Sequence, residues 1–275
     1  MIPDFLLLTF AAYYLSYALV HLDLPFNLGK RLRGVTTIGG MLLCFYCTAW
    51  WAAFALTTIL GLAMVASRGI VMLPFGLAGV AGAVCYTMPP LRAAYHPVIG
   101  ELIAFVCLGL CVIGAAVLQG GDVDGATLAA AVAVAAYAVG MLMVHHYLDH
   151  DADRSARPQK RTTIVALGLE RGRYYAIAWC VLAIAAAIAA AWSRPELLPL
   201  VGAYALGLVA HMRCRPRDVA SVTRCELAII FAGISGALVS AALLVPALAW
   251  AALAAAALIA AELRLAVSPA ERPAQ

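Results

Sequence analysis

Two aspartates four residues apart, followed closely by a run of basic residues, are the part of this sequence best equipped for chemistry. They lie in His145–Thr163, HHYLDHDADRSARPQKRTT, which holds three of the eight aspartates and three of the six histidines. On a helix Asp149 and Asp153 share a face about one turn apart, while Asp151 points elsewhere. Paired carboxylates at that spacing repel unless they are solvated, matched by arginine or bridged by a divalent cation. Hard oxygen donors suit Mg²⁺, which binds through one or two carboxylates together with substrate phosphates. The cation would neutralise a diphosphate and help it leave, with Arg154, Lys160 and Arg161 adding charge against phosphate oxygens. The plain alternative is a solvated loop whose acids only offset its bases. Against that stands the setting, because the acids close a long apolar run, where ionisable groups are expensive and mark function.

The elements that must position these residues are membrane spans. The chain has 275 residues, 65% of them hydrophobic and 12% charged, with a mean hydropathy of +0.96. A soluble domain is about half apolar and a quarter charged. Nine apolar runs suit a hydrocarbon core of roughly 30 Å: 3–20, 36–66, 69–88, 97–118, 124–146, 174–192, 197–211, 226–244 and 247–263. The fold expected is therefore all-α, a polytopic transmembrane bundle forming a single domain over 1–275. The second run is long enough to be tilted, or broken near Gly61. Alanine-rich stretches such as AIAAAIAAAW (183–192) allow close helix approach. Cys85, Cys107, Cys111 and Cys180 lie in apolar runs and read as small packing residues. The first run lacks a basic leader and a small-residue cleavage site, so no cleavable signal is expected.

Charge then orients the bundle. Lys30, Arg31 and Arg33 follow the first run, Arg92 the third, Arg154 through Arg173 the fifth, and Arg213, Arg215, Arg217 and Arg224 the seventh. The intervening loops are poor in Lys and Arg. The positive-inside rule places the basic loops in the cytosol and the amino terminus outside, in the cell (inner) membrane. The formal charge of +4 thus reports topology and excludes a nucleic-acid partner. His21, His96, His145, His146, His150 and His211 fall at cytosolic span ends, as do Asp23, Asp149, Asp151 and Asp153. The chemistry opens to the cytosol.

Residues 145–168, HHYLDHDADRSARPQKRTTIVALG, resemble the second aspartate-rich motif of the UbiA superfamily of intramembrane prenyltransferases, most nearly its 1,4-dihydroxy-2-naphthoate (menaquinone-pathway) branch. Asp149 and Asp153 fall on the motif aspartates, Arg154 on the arginine that follows, and Lys160, Arg161 and Thr162 on its K-R-T. Upstream, residues 86–119 match a second block through Tyr86, Thr87, Pro90, Gly100, Glu101, Gly109 and Gln119. The resemblance covers roughly 69–175 and leaves 1–66 divergent. It implies a nine-helix bundle that moves an isoprenyl group from a Mg²⁺-bound isoprenyl diphosphate to a small aromatic or quinone-precursor acceptor. Asp149 and Asp153 would hold the metal, Lys160 and Arg161 would contact phosphate, Tyr86 and Arg92 would line the headgroup pocket, and apolar grooves would take the tail.

The sequence also departs from that pattern. His145 and His146 replace paired asparagines, Leu148 replaces an arginine, and the glycine before K-R-T is replaced within an insertion, Arg157–Gln159. The family's first aspartate-rich motif is not found. Its place is taken by residues 21–34, HLDLPFNLGKRLRG, where Asp23 is the only acid, with His21 and Asn27 nearby. Asp23 is accordingly a candidate surviving ligand. Residues 25–54 also look like small bacterial membrane proteins with a C-x-x-C-x-x-x-W segment. Cys44 and Cys47 here read as packing, since one pair cannot complete a tetrahedral metal site. Two other functions stay open. One is a degenerate isoprenoid-binding protein, or a subunit completed by a membrane partner. The other is a metalloenzyme built on His146 and His150, one turn apart, with the remaining histidines.

Overall fold

The computed structural model describes residues 61–246, 249, 250 and 253. The chain divides into two compact units, Met1–Leu73 and Pro74–Gln275. In the first, the described residues form a helical stretch over 61–68 and a 3₁₀ turn, Ile70–Met72. Gly69 separates them at φ 80°, the left-handed conformation that glycine supplies at helix ends.

Seven helices follow: α1 (Leu73–Thr87), α2 (Ile99–Leu118), α3 (Gly125–Ser155), α4 (Thr163–Leu167), α5 (Leu169–Ser193), α6 (Leu198–Arg213) and α7 (Val219–Leu244). Among the described residues there is no β-strand, and six helical segments are long and apolar enough to cross a membrane. The all-α membrane bundle read from the sequence is therefore the fold. Of the nine expected runs, 3–20, most of 36–66 and most of 247–263 lie outside the described residues, as do Asp23, Cys44 and Cys47.

Three helices run further than their apolar stretches. The expected span 124–146 continues to Ser155, 174–192 begins at Leu169, and 226–244 begins at Val219. Hydropathy marks where a helix leaves lipid; capping and proline mark where it ends. At 1.5 Å per residue α3 is about 46 Å long against a core of roughly 30 Å. Its start is fixed by Asp124, whose carboxylate accepts the Thr127 N–H at 2.8 Å and meets Arg194 at 2.8 Å. The excess length thus emerges at the other end, as the turns carrying His145 to Ser155. Arg157–Pro158 lies just beyond, where proline bars further helix. On α5, Tyr174 (73% exposed) and Trp192 (87% exposed) face outward. They are about 27 Å apart along the helix axis, the spacing of two aromatic belts.

The centre of the bundle is α3, which packs against α2, α5 and α7, with α6 packed against both α5 and α7. Small side chains set the approach: Ala176, Cys180, Ala183, Ala187 and Ala190 of α5 are fully buried in one cluster with Ala133, Ala136 and Val139 of α3. Lipid gives apolar side chains no hydrophobic reason to associate, so close packing and polar ties hold such helices. One tie is Tyr137. Its ring stacks on Tyr204 with centroids 4.1 Å apart, and its hydroxyl donates to the Ile229 carbonyl at 2.8 Å. Gly207 and Gly233 make the room, since a Cβ there would stand 2.5 Å from Tyr137 Oη and 2.7 Å from its Cε1 respectively.

Candidate functional site

The acid-bearing end of α3 meets the loop after α1, the start of α2, the α4 segment, the start of α5 and the α6–α7 turn. The chain reverses after Ser155, and the Lys160 N–H bonds the Asp153 carbonyl at 3.1 Å. That reversal carries the Lys160 ammonium back to Asp153 Oδ2, also at 3.1 Å. Thr162 caps α4, accepting the Val165 N–H. Thr163 then reaches across 65 positions of sequence to accept the Val98 N–H at 2.7 Å. The K-R-T-T run thus splits three ways, with Lys160 turned to the acid, Thr162 and Thr163 holding the architecture, and Arg161 directed outward.

The Val98 clasp matters because the loop it holds is strained. Arg92 and Val98 have φ of 40° and 68°, a left-handed region that a β-branched residue rarely adopts. Gly100 allows the loop to pass, since a Cβ there would stand 3.1 Å from the Ala93 carbonyl oxygen. The packing places Glu101 inside, 2% exposed, with Oε1 lacking any hydrogen bond. Arg92 turns onto its own loop, 5.6 Å from the Tyr95 ring centroid.

On α3, His146, Asp149 and Asp153 form one face. Asp153 and His146 are buried, and Asp149 is about half exposed. His145 Nε2 lies 3.6 Å from Asp149 Oδ2, and its Nδ1 lies 3.3 Å from Glu226 on α7. Asp149, Asp153 and Lys160 all lie within electrostatic reach of His146. The Tyr86 hydroxyl lies within reach of both Glu101 and Asp153. Below Glu101 an aromatic wall continues into the bundle: Trp179 packs 5.5 Å from Phe105 and 6.1 Å edge-on to Tyr175.

Asp149 and Asp153 fit a Mg²⁺ ion as a two-carboxylate donor set. Asp153 Oδ2 is buried with the Lys160 ammonium as its partner at 3.1 Å, while Asp149 keeps solvent access for the waters Mg²⁺ retains. Among the described residues no three His, Cys, Asp or Glu side chains form a metal-holding group. The arrangement therefore offers a half-site that phosphate oxygens and further donors would complete. His146 and His150 do not act together: His146 is buried, while His150 turns to Asp151 at 2.8 Å.

Arg154 and Arg161 are placed elsewhere. With His150 they line a separate cavity on another face of α3. Sequence reasoning gave too little weight to Glu101. Its signal was available, as a lone carboxylate opening a helix of otherwise apolar residues.

A family model described as the UbiA prenyltransferase family matches residues 45–225. The match takes in the described residues of this site except Glu226, and begins after Asp23. No curated protein and no solved structure matches the chain. The match spans about two thirds of the 275 residues, on a helical bundle that carries Asp149, Asp153 and Lys160 together at one end; the chain belongs to the UbiA prenyltransferase family.

Proposed function

We propose that this protein transfers an isoprenyl group from its diphosphate to an electron-rich aromatic ring at the acid end of α3. The observation that carries the reading is the face bearing Asp149 and Asp153 with Lys160 folded back on it, near a buried, unpaired carboxylate, Glu101, and an aromatic cluster. Asp149 and Asp153 would hold Mg²⁺, which supplies charge to the leaving diphosphate. Lys160 stands close enough to move from Asp153 to a phosphate oxygen, and Tyr86 donates a hydrogen bond to the same headgroup. Arg92 faces the headgroup once released from Tyr95. Asp23, outside the described residues, is proposed as a further donor.

The reaction breaks the allylic C–O bond, with the electron pair leaving on diphosphate, and a ring carbon of the acceptor then attacks the allylic carbon. Phe105, Tyr175 and Trp179 offer aromatic faces to the positive charge that develops there and an apolar surface to the tail. The ring proton displaced by the new C–C bond passes to Glu101, whose Oε1 has no competing hydrogen bond. Glu101 is buried and the three rings are partly buried, which limits the access of water that would otherwise capture the allylic carbon. The acceptor class follows the resemblance, 1,4-dihydroxy-2-naphthoate or a related quinone precursor. The basic end faces the cytosol in a cell membrane, as the positive-inside rule requires.

The test is transfer itself. Purified protein in liposomes with Mg²⁺, labelled farnesyl or geranylgeranyl diphosphate and a panel of phenolic and naphthoic acids should form a prenylated acceptor. Tight binding of the diphosphate with no product from any acceptor would instead assign an isoprenoid-binding protein.

A further inference from the structure

The basic residues after Asp149 and Asp153 do not form one group. Tyr147, His150, Asp151 and Arg154 share one face of α3 by their i, i+3, i+4 and i+7 spacing, turned about 130° around the helix from Asp149 and Asp153 at 3.6 residues per turn. They line an open cavity of about 890 Å³ that is bounded by the α4–α5 junction and the α6–α7 turn. Four arginines reach it: Arg154, Arg161, Arg171 and Arg217. Arg217 has a partner, Glu170, at 3.7 Å, and Asp151 is taken by His150 at 2.8 Å. Among the described residues, Arg154, Arg161 and Arg171 have no carboxylate within ion-pair distance. Tyr147 is 4% exposed on the same wall, and its buried hydroxyl has no hydrogen-bond partner. Gly168 and Leu169 add the first turn of α5, which no side chain caps.

Three unpaired guanidinium groups around one concavity repel each other, and their shared preference is an anion with several oxygens. A carboxylate could engage one fork; a phosphate presents enough acceptor oxygens for two or three. We infer that this cavity is a second anion site, which binds a phosphate-bearing group without Mg²⁺ and independently of Asp149 and Asp153. Two sources share that chemistry: a soluble diphosphate such as the one the proposed reaction releases, and the headgroup of an anionic phospholipid. Leu148, Val165 and Leu167 on the cavity wall would accommodate the glycerol end of a lipid, whereas the arginines serve either ligand. The inference does not depend on the transferase reading.

The experiment uses the full chain carrying Asp149→Asn and Asp153→Asn, purified in detergent with excess chelator. This background removes metal-dependent phosphate binding. Inorganic pyrophosphate is titrated by calorimetry at low salt. In parallel, the protein is reconstituted in nanodiscs of phosphatidylcholine with and without phosphatidylglycerol, and its melting point is compared. Saturable pyrophosphate binding, weakened about tenfold by either Arg154→Gln or Arg171→Gln and less by Arg171→Lys, assigns a soluble phosphate ligand. No pyrophosphate binding, with a rise in melting point in phosphatidylglycerol that both glutamine variants abolish, assigns a lipid headgroup. If neither probe responds, or if the responses survive both substitutions, the inference is overturned. Raising the salt should weaken the authentic interaction, because exposed charges are screened over about 10 Å at 0.1 M.

Discussion

Removing the Lys160 ammonium should expose how much of the site's order depends on one ion pair. The side chains of Asp153 and Lys160 are 10% and 25% exposed, and the charges lie 3.1 Å apart. With an effective dielectric near 20, Coulomb's law gives about 5 kcal/mol of gross attraction at that distance. Desolvation of both groups and the partial access of Lys160 to water reduce the net effect to about 2 kcal/mol. Lys160→Met leaves Asp153 buried and unopposed and should lower the melting point in detergent by about 5 °C. Adding Asp153→Asn to Lys160→Met should recover at least half of that loss, because the uncompensated charge is then gone. Millimolar Mg²⁺ should raise the melting point of Lys160→Met more than that of the unaltered protein, since the vacated oxygen becomes available to a cation. The assay is thermal unfolding of the four members of the cycle, with and without chelator. Equal melting points for Lys160→Met and the unaltered protein, or additive losses in the double variant, would refute the idea that Lys160 holds Asp153 in place.

Other expectations are independent of that pair. Gly207→Ala should destabilise the bundle by about 1–3 kcal/mol through overpacking, because its Cβ would stand 2.5 Å from Tyr137 Oη; Gly202→Ala, with open space around it, is the control and should be close to neutral. Thr163→Val removes the acceptor of the Val98 N–H. It should cost about 1–2 kcal/mol and speed hydrogen exchange at Val98, with no effect if that clasp is dispensable. The Asp124 carboxyl is pulled from 3.8 to about 2, chiefly by the Thr127 backbone N–H and then by Arg194. A depressed carboxyl stabilises the fold above its ordinary value, and that contribution is lost as the pH falls through the folded value. Melting temperatures of the unaltered protein should therefore drop more between pH 4 and pH 2 than those of Asp124→Asn. Glu101→Gln should slow transfer while leaving diphosphate binding intact; equal rates would remove Glu101 as the proton acceptor.

How legible the molecule was depends on which force set each feature. The spans could be read because lipid imposes one strong rule, apolar runs of sufficient length, and the six described ones lie close to where hydropathy put them. The ends of α3, α5 and α7 were misplaced because helices continue beyond the hydrocarbon as long as capping and proline permit. The i, i+4 face of Asp149 and Asp153 followed from helical spacing once α3 was known to continue past His146. The parting of Lys160 from Arg161 did not follow, because it depends on the reversal after Ser155 and on the tie between the Lys160 N–H and the Asp153 carbonyl. Adjacent residues in an irregular segment have no fixed period, so charge alone put both on one ligand. The Val98–Thr163 clasp was hidden for a similar reason, since its two halves lie 65 positions apart in sequence.

The central claim is that Asp149 and Asp153 form a metal–diphosphate half-site for prenyl transfer, and substituting them one at a time tests it most directly. Asp149→Asn and Asp153→Asn should each remain folded by thermal unfolding and each reduce Mg²⁺-dependent formation of prenylated acceptor by about a hundredfold or more. That factor corresponds to about 2.7 kcal/mol of lost transition-state stabilisation. Transfer at an undiminished rate in both variants would contradict the account.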